Sequence, residues 1–167
     1  MLAKEVEAGS CPKLENKIFD NLVDMMVAIK SGSQIYGTSN EKDRPAFTAT
    51  LKSHLTLSKD NTIKFDSVIL NKGGGYSPKT GIFTATKTGL YLISATVMSY
   101  FGNVLSVYIS KNGVNLMNLY GPKIHGGTET ANPVLNLEKG DKVSVRSKGS
   151  FRVYGDNYSY FSAVYIA

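Results

Sequence analysis

The stretch that decides the fold is Thr62–Tyr91, TIKFDSVILNKGGGYSPKTGIFTATKTGLY. Apolar and polar residues alternate on both sides of its glycine cluster, which is typical of strands with one face on a core. Gly73, Gly74 and Gly75, with Pro78 after them, predict a tight reversal between two such strands. The residues predicted to pack on the core are Ile63, Phe65, Val68, Leu70, Ile82, Phe83, Leu90 and Tyr91.

The order of residues in this stretch resembles the globular domain of the complement C1q family. Matching segments follow one another from Arg44 to Ala167. Each segment is short, and it is their common order and spacing that carry the resemblance. The segments are Ala46-Phe47-Thr48-Ala49, Phe65-Asp66 with Val68 and Asn71, Gly74-Gly75-Tyr76, Thr80-Gly81-Ile82-Phe83-Thr84, Gly89-Leu90-Tyr91, Asn112-Gly113, Gly140-Asp141 and Phe161-Ser162-Ala163.

The chain after residue 45 predicts an all-β domain. Short segments of strand character follow one another at even spacing, which favours a β-sandwich. Asn112-Gly113 predicts a hairpin, since a type I′ turn needs positive φ at both central residues, and Gly140 predicts another tight turn. The resemblance implies a ten-stranded jelly-roll β-sandwich of the C1q/TNF-like kind. The predicted strands are Ala46–Leu51, His54–Leu57, Thr62–Leu70, Gly81–Ala85, Gly89–Tyr100, Val104–Asn112, Val114–Tyr120, Thr128–Leu137, Lys142–Ser147 and Tyr158–Ala167.

A helical pattern precedes this domain. From Pro12 to Lys30 apolar residues recur at steps of three and four, which predicts a short N-terminal amphipathic helix. Ser10 can cap it and Gly32 can end it. The helix is either a neck that supports a trimer, as in short-necked members of the family, or a helix that folds back on its own domain or frays. Its apolar positions are Leu14, Ile18, Phe19, Leu22, Met25, Met26 and Ile29.

The segment Ser31–Asp43 is polar, rich in Ser, Gly and Thr, and predicts a linker. The predicted organisation is therefore an N-terminal helical neck and linker over residues 1–43 and a C1q-like globular domain over residues 44–167. No Gly-X-Y repeat is present in the sequence, so no collagen stalk is predicted.

Composition limits the partners. A formal net charge of +6 favours acidic partners such as anionic glycans or bacterial envelope polymers; a merely solvated basic surface is the alternative. The lysines and arginines are scattered, without a basic run of nucleic-acid type, so no nucleic-acid partner is predicted. No apolar run reaches the ~18 residues of a membrane span, so no membrane insertion is predicted.

Cys11 is the single cysteine of the chain, so an intrachain disulfide is excluded. It is either a free surface thiol or half of an interchain disulfide between stalks in an oxidising compartment. The resemblance implies an extracellular, secreted protein. The first residues lack the apolar region of a signal peptide, so we expect that such a signal has been removed.

The sequence predicts a protein that is not an enzyme. His54 and His125 lie in separate segments without neighbours at metal-ligand spacing, and no nucleophile elbow, P-loop or dinucleotide motif is present. No helix follows Gly73–Gly75, so a β-turn explains this cluster better than a phosphate loop. Family members hold calcium near a mid-domain loop, but here Tyr120–Thr130 contains one carboxylate, Glu129, whereas calcium takes several oxygen ligands. No cofactor is therefore predicted.

Loops at one end of the sandwich predict the ligand-binding surface, because connections of an antiparallel jelly roll alternate between its two ends. Their basic residues suit anionic groups and their rings suit stacking on sugars or proteins; alternatively, the lysines only keep this end soluble. The loops assigned to this apical end are Lys52–Ser53, Asn71–Pro78, Tyr100–Asn103, Gly121–Gly127 and Lys148–Asn157. The candidate ligand-binding residues are Lys72, Tyr76, Tyr100, Lys123, His125, Lys148, Arg152 and Tyr154, with Lys52, Phe101 and Phe151 in the same loops.

Two further predictions concern assembly and modification. The resemblance implies a homotrimer, and one sheet is predicted to expose an aromatic surface for it. Ala163 departs from the glycine that the family usually has after Phe-Ser. Asn157-Tyr158-Ser159 is an N-glycosylation sequon, with Asn157 as the acceptor. The aromatic residues of the predicted surface are Phe47, Tyr91, Tyr158, Tyr160 and Tyr165.

Three functions fit these features. The first is a secreted, trimeric pattern-recognition protein of innate immunity, a lectin-like protein that binds carbohydrate on anionic glycans or microbial envelope ligands. The second is a secreted signalling or adhesion ligand for a protein receptor, like the cerebellin- or TNF-like relatives. The third, an extracellular matrix component, usually calls for long repetitive regions. The basic aromatic loops and the short neck favour the first.

Overall fold

The structure is a computed structural model that describes residues 20–24, 26–27 and 44–167. Residues 20–24 and 26–27 are helical, which confirms a helix within the predicted N-terminal segment. The rest of that segment, with Ser10, Cys11 and the predicted linker, lies outside the described residues. The chain divides into two units, residues 1–41 and 42–167. The helical residues described here form no helix long and apolar enough to cross a membrane.

Residues 44–167 form thirteen strands separated by turns and short loops. In chain order these are β1 (Ala46–Thr50), β2 (Leu55–Leu57), β3 (Ser67–Lys72), β4 (Tyr76–Ser77), β5 (Ile82–Thr84), β6 (Gly89–Met98), β7 (Leu105–Lys111), β8 (Val114–Gly121), β9 (Thr128–Ala131), β10 (Val134–Leu137), β11 (Lys142–Ser147), β12 (Phe151–Val153) and β13 (Tyr160–Tyr165).

The strands build two sheets and one small ladder. The six-stranded sheet has the order β10-β6-β13-β1-β3, with β9 also beside β6. The five-stranded sheet has the order β4-β5-β11-β7-β8, and β2 pairs with β12. The paired strands are antiparallel. This arrangement confirms the predicted all-β sandwich.

Several predicted strands have different bounds, and each difference has a local cause. The segment before β3 is irregular, apart from a bridge between Thr62 and Arg146. The predicted strand Thr128–Leu137 divides into β9 and β10 around Asn132 and Pro133, because proline has no N–H to give to a ladder. The two strands missing from the prediction, β4 and β12, are only two and three residues long.

The core between the sheets contains a compact group of aromatic rings. The ring of Phe47 stacks on that of Tyr76, with centroids 4.4 Å apart and planes 1° apart. Phe83 and Phe161 lie 5.0 and 4.9 Å from the same ring. All four side chains are buried. Large rings bury much apolar area, so this group is a major stabilising element of the domain.

The structure corrects part of the predicted core. Ile63, Phe65, Phe83 and Tyr91 are buried as predicted, but Val68, Leu70 and Leu90 are 40%, 47% and 42% exposed. The first two lie on β3, the outermost strand of its sheet, whose register against β1 shifts between Thr48 and Ala49. Leu90 precedes the inward-facing Tyr91 on β6, and successive side chains point to opposite faces. Ile82 is half-buried for the same reason, since its neighbour Phe83 faces the core.

The predicted aromatic surface for assembly is wrong. Phe47, Tyr91 and Tyr165 are buried inside the domain, Tyr160 is half-buried, and Tyr158 is exposed but lies in a loop rather than on the sheet. The outer face of the six-stranded sheet is instead aliphatic near the first residue of β1. There Val134 pairs with Leu92, and Leu92 with Val164. The exposed aliphatic residues of this face are Leu90, Val134, Val164 and Ile166.

Candidate functional site

The two ends of the sandwich are defined by the direction of β1. Strand β3 runs antiparallel to it, so that Lys72 lies beside Ala46 and Ser67 lies beside Thr50. We call the end at Ala46 the turn end; it holds the turns at residues 72–76, 85–89, 111–114 and 138–142. We call the end after Thr50 the loop end; it holds residues 51–54, 99–104, 121–128 and 147–159. Loops of the same end lie close together, whereas loops of opposite ends are separated by the length of the strands.

Lys72 and Tyr76 lie at the turn end, so their predicted placement with the apical loops is wrong. A Cβ on Gly73, next to Lys72, would lie 3.1 Å from the Cβ of Pro45, the residue before β1. The alternation rule fails because β2 does not cross the sandwich. It forms a ladder with β12 at the loop end, and the segment after it is still there at Asp66, whose Oδ1 accepts a hydrogen bond from the Lys52 N–H (2.9 Å).

Tyr76 is a core residue rather than a ligand residue. Its ring is buried against Phe47, and its hydroxyl donates a hydrogen bond of 2.9 Å to the carbonyl oxygen of Phe65. Burial raises the pKa of the Tyr76 hydroxyl well above its ordinary value, because the charged form is poorly solvated there. The side chain of Asn71 holds the backbone of Tyr76 through two hydrogen bonds. The structure therefore removes Tyr76 from the candidate site.

A cluster of rings occupies the loop end. His54 lies 5.1 Å from both Tyr100 and Tyr154 between ring centroids, and the two tyrosines lie 4.7 Å apart. The guanidinium carbon of Arg152 lies 4.4 Å from the centre of the Tyr100 ring, a cation–π distance. The three rings are half-buried and Arg152 is exposed. We call these four residues the ring cluster.

The ring cluster continues into two neighbouring loops. His125 lies 6.2 Å from Tyr154 and 4.8 Å from Phe101. Tyr158 lies 6.1 Å from Tyr154 on another side. Phe101 is 66% exposed and Tyr158 is exposed as well. A large exposed aromatic surface of this kind is characteristic of sites that bind a ligand or another protein.

Backbone pairing fixes the ring cluster in place. The N–H of Tyr100 donates to the carbonyl of Arg152 (2.8 Å), and the N–H of Tyr154 donates to the carbonyl of Met98 (2.9 Å). The hydroxyl of Ser159, which is fully buried, donates to the Tyr154 carbonyl (2.9 Å) and accepts from the Met98 N–H (3.1 Å). The rings therefore project from paired backbone rather than from a free loop.

His54 is oriented by the loop opposite. Its Nδ1 accepts a hydrogen bond of 3.0 Å from the N–H of Gly155, which leaves Nε2 to carry the proton of the neutral ring. Nε2 lies 3.9 Å from Oδ2 of Asp156. A Cβ on Gly155 would lie 2.2 Å from the carbonyl carbon of Ser53, so only glycine allows this close approach. Asp156 and Asn157 follow with φ of 51° and 66°.

Basic residues other than Arg152 also lie at the loop end. A groove of about 410 Å³ at this end is lined by Lys123 together with Gly102, Asn103 and Ser150. Phe151 contributes to that groove but is itself a buried core residue, so its predicted role as a free stacking surface is wrong. Lys123, Lys52 and Lys148 are exposed.

The structure thus brings four predicted site residues together. Tyr100, Arg152 and Tyr154 belong to the ring cluster, and His125 adjoins it. Lys123 lines the separate groove at the same end. Lys148 lies at the loop end but points along the five-stranded sheet, with its Nζ 5.9 Å from the Tyr108 ring. Lys72 and Tyr76 are at the turn end. The candidate residues do not all belong to one surface.

The predicted ligand-binding residues do not include His54, Gly155 or Ser159, although Gly155 lies in the loop Lys148–Asn157 that the sequence assigns to this end. The Gly-Asp-Asn run at residues 155–157 is a turn signal and could have indicated the close approach at Gly155. Nothing in the sequence indicates that Ser159 supports Tyr154. Among residues 20–24, 26–27 and 44–167, no three His, Cys, Asp or Glu side chains are grouped to hold a metal ion.

Comparisons with known proteins agree with this architecture. The family model of the C1q domain matches residues 46–165. The chain is 31% identical over 115 residues to human complement C1q tumor necrosis factor-related protein 3, covering 67% of this chain and 46% of that protein. It is 28% identical over 104 residues to a human complement C1q subcomponent, covering 61% and 41%. The chain thus spans less than half the length of these curated relatives.

Solved structures with the same fold include the globular domain of zebrafish complement 1qA protein. It aligns with a TM-score of 0.64 at 22% identity and covers 74% of this chain and 98% of that one. Murine APRIL aligns with a TM-score of 0.59 at 14% identity, covering 74% and 100%. At these identities the likeness concerns the fold alone.

Proposed function

The chain belongs to the C1q domain family, and on that premise we propose that it is a secreted, trimeric pattern-recognition protein. It binds anionic glycans or microbial envelope ligands at its loop end, as a lectin-like protein of innate immunity without enzymatic activity. The observation that carries this proposal is the ring cluster of His54, Tyr100 and Tyr154 with Arg152 over the Tyr100 ring. The groove that Lys123 lines lies at the same end.

The chemistry of this surface suits an acidic sugar. Half-exposed rings offer flat apolar faces for the C–H side of a pyranose, while polar groups around them fix its orientation. Arg152 offers a planar set of donors that matches a carboxylate or phosphate. Lys123 adds a second positive charge in a different loop. A neutral sugar would use the rings alone, so an anionic ligand engages more of this surface.

We propose that three chains assemble through the outer face of the six-stranded sheet. Strands β1, β6, β10 and β13 contain no Lys, Arg, Asp or Glu, and four aliphatic side chains of this face are exposed. An uncharged apolar face of this kind favours association. A trimer presents three loop ends, so weak binding at each is strengthened by about 10² or more on a surface of matching spacing.

Light scattering tests the assembly. Val164→Lys places a charge in the middle of this face and is expected to convert the trimer to monomers, because a desolvated lysine without a partner is strongly unfavourable. Val114→Lys is the matched control, since Val114 is an exposed valine on β8 of the other sheet. A trimer that survives Val164→Lys unchanged contradicts assembly through this face.

Binding to an immobilised lipopolysaccharide or polysialic acid surface tests the ligand class. Lys123→Glu is expected to weaken binding several-fold, whereas Lys139→Glu is expected to leave it unchanged. Both lysines are exposed turn residues, but Lys139 lies at the turn end. Binding should also weaken as salt rises, because exposed charges are screened over ~8 Å at physiological ionic strength.

A neutral variant separates stacking from charge. Tyr154→Ala removes a ring and no charge, and we expect it to weaken binding while the salt dependence of the remaining binding is retained. Equal effects of Lys123→Glu and Lys139→Glu, or binding that is insensitive to salt, would contradict the anionic-glycan proposal.

The second candidate function is a signalling or adhesion ligand for a protein receptor. The observation that favours it is the likeness to a protein named complement C1q tumor necrosis factor-related protein 3. Tyrosine and arginine side chains are also the residues most enriched at protein–protein hot spots, so the same ring cluster suits this function. Salt-insensitive binding of a protein partner that is lost in Tyr154→Ala would favour it.

A further inference from the structure

The five-stranded sheet has a distinct charge. Its five strands contain Lys111, Lys142 and Arg146 and no Asp or Glu, and Lys148 follows directly after β11. Val143 and Val145 face the core, so Lys142, Ser144 and Arg146 alternate onto the outer face of the sheet. This face is basic and polar, unlike β1, β6, β10 and β13 of the other sheet, which contain no charged residue.

A groove of about 260 Å³ lies in this outer face. Ser110 of β7 and Ser144 of β11, which are directly paired across the two strands, line it. Arg146 and Thr62 line it on the side of the loop end, and Lys142 lines it on the side of the turn end. A volume just below the ~300 Å³ at which small-molecule pockets begin suits a single sugar unit.

The groove contains a serine hydroxyl, that of Ser110, whose hydrogen-bonding capacity is unused. The Ser110 side chain is 1% exposed, and its Oγ makes no hydrogen bond to the described residues. Buried polar atoms are almost always hydrogen-bonded, so the Ser110 hydroxyl has an unused donor and acceptor for a group that enters the groove. Only one other buried side-chain oxygen of the described residues, Ser99 Oγ, shares this condition, and Ser99 does not line the groove.

Two positively charged side chains line the groove beside Ser110, and they differ in their contacts: Arg146 is hydrogen-bonded to the protein, whereas Lys142 is exposed. The Arg146 guanidinium donates from Nε and Nη2 to the carbonyl of Asp60 (3.3 and 2.8 Å), and its Cζ lies 6.0 Å from the Tyr108 ring. Arg146 is therefore fixed in orientation with further N–H groups left over. Lys142 is exposed and its side chain can reach a ligand. The carboxylate of Asp141 is turned to Lys111, at 2.8 Å from its Nζ.

We propose that this groove binds one sugar unit that carries a sulfate or carboxylate. A hydroxyl of the sugar completes the hydrogen bonding of Ser110, and the anionic group lies between Lys142 and Arg146. The sugar class follows from the combination of hydroxyl and positive groups, since a bare anion would leave the serine side of the groove unused. The site is separate from the ring cluster and faces away from the proposed trimer surface.

The test is a titration of the whole chain with galactose 6-sulfate, followed by backbone amide NMR shifts. We expect saturable shifts at Ser110, Ser144 and Lys142, and weaker binding of unmodified galactose. Ser110→Ala should weaken binding about fivefold, the loss typical of one hydrogen bond. Ser99→Ala is the matched control, because it removes the other isolated hydroxyl and should leave binding unchanged. Both variants should fold, since neither removes a hydrogen bond between described residues.

Lys142→Gln tests the anionic group. It should weaken the binding of galactose 6-sulfate and leave that of galactose unchanged, while Lys139→Gln should change neither. Shifts confined to the ring cluster, an affinity unaffected by Ser110→Ala, or equal binding of inorganic sulfate alone would overturn the proposal. Because these shifts are read residue by residue, the groove and the loop end can fail or succeed independently.

Discussion

Tyr76 at the turn end and Tyr154 at the loop end have similar surroundings in the sequence. Lys72-Gly73 shortly precedes the first, and Lys148-Gly149 shortly precedes the second. Tyr76 is buried against Phe47 and donates its hydroxyl proton to a backbone carbonyl. Tyr154 is half-buried among other rings at the surface. The difference lies in the backbone. Tyr76 belongs to β4, which directs its side chain into the core, whereas Tyr154 follows β12 and lies in the segment at the loop end of the sandwich.

The two ends also differ in how they are held together. The turn end is fixed by the carboxylate of Asp141, which accepts from Lys111, Asn112 and the Glu138 N–H. The loop end is fixed mainly by backbone pairing and by a close approach at Gly155. The turn end is thus held by a charged side-chain network, and the loop end by backbone contacts and the side-chain hydroxyl of Ser159 beneath the ring cluster.

The largest expected effect separates the two tyrosines. Tyr76→Ala should lower the free energy of unfolding by about 3–5 kcal/mol, as for other buried aromatic residues. Tyr154→Ala should lower it by clearly less, because the Tyr154 ring is only half-buried and its removal loses less buried apolar area. Denaturant unfolding of both variants measures the difference, and a similar loss in both would break the distinction between the ends.

A glycine pair tests the loop end next. Gly155→Ala should destabilise the protein by about 1–3 kcal/mol, because its methyl group would overlap the backbone of Ser53. Gly149→Ala is the control, since its methyl group would make only ordinary contact with Phe151, at 3.9 Å. Gly155→Ala should also displace His54 and weaken ligand binding. Equal melting temperatures for the two variants would contradict the close approach.

Acid unfolding tests the turn end. Hydrogen bonds from Lys111, Asn112 and the Glu138 N–H lower the pKa of Asp141 to about 2, against an ordinary value of about 3.9 in an unfolded chain. A lowered pKa contributes stability that is complete above about pH 4 and is lost as the pH falls towards 2. Asp141→Asn should be less stable than the parent at pH 7 and approach it at pH 2. A constant difference in melting temperature across this range would contradict the assignment.

The smallest expected effect concerns the sequon at the loop end. Asn157 has positive φ, and its Oδ1 accepts a hydrogen bond of 2.6 Å from Thr50 Oγ1. Asn157→Asp keeps an oxygen for Thr50 and tolerates this backbone, so stability should change by less than about 0.5 kcal/mol. If Asn157 carries a glycan in protein secreted from eukaryotic cells, this variant should lose that mass. Ser159→Ala is a poor substitute, since Ser159 supports Tyr154.

Much of the fold could be predicted because its signals are local. Alternation on β6 and β11 and the Asn112-Gly113 hairpin are properties of neighbouring residues, and the structure confirms them. Asn112 and Gly113 have φ of 53° and 86°, as a type I′ turn requires. Strands of two or three residues, such as β4 and β12, could not be predicted, because so few residues carry no periodicity.

The candidate site could be predicted only in part, because the assignment of loops to an end of the sandwich depends on which strands are long enough to cross it. Residues that follow long strands, such as Tyr100 after β6, were assigned to the correct end. Lys72 was not, because the assignment assumed that β2 crosses the sandwich, and a three-residue strand is too short to do so. Whether Tyr76 or Tyr154 faces the core or the surface also depends on the strands packed beside it, and these are not encoded in the neighbouring residues of the sequence.

By itself, the sequence determined the fold class, the positions of the main turns, the uncharged strands and the excess of basic residues, because each depends on residue type and on spacing along the chain. Only the tertiary structure decided which loops share an end, that Tyr76 belongs to the core, that His54 joins the ring cluster, and that the hydroxyl of Ser110 lies isolated in a groove. These are distances between residues far apart in the chain, and they are set by the pairing of strands and the packing of two sheets.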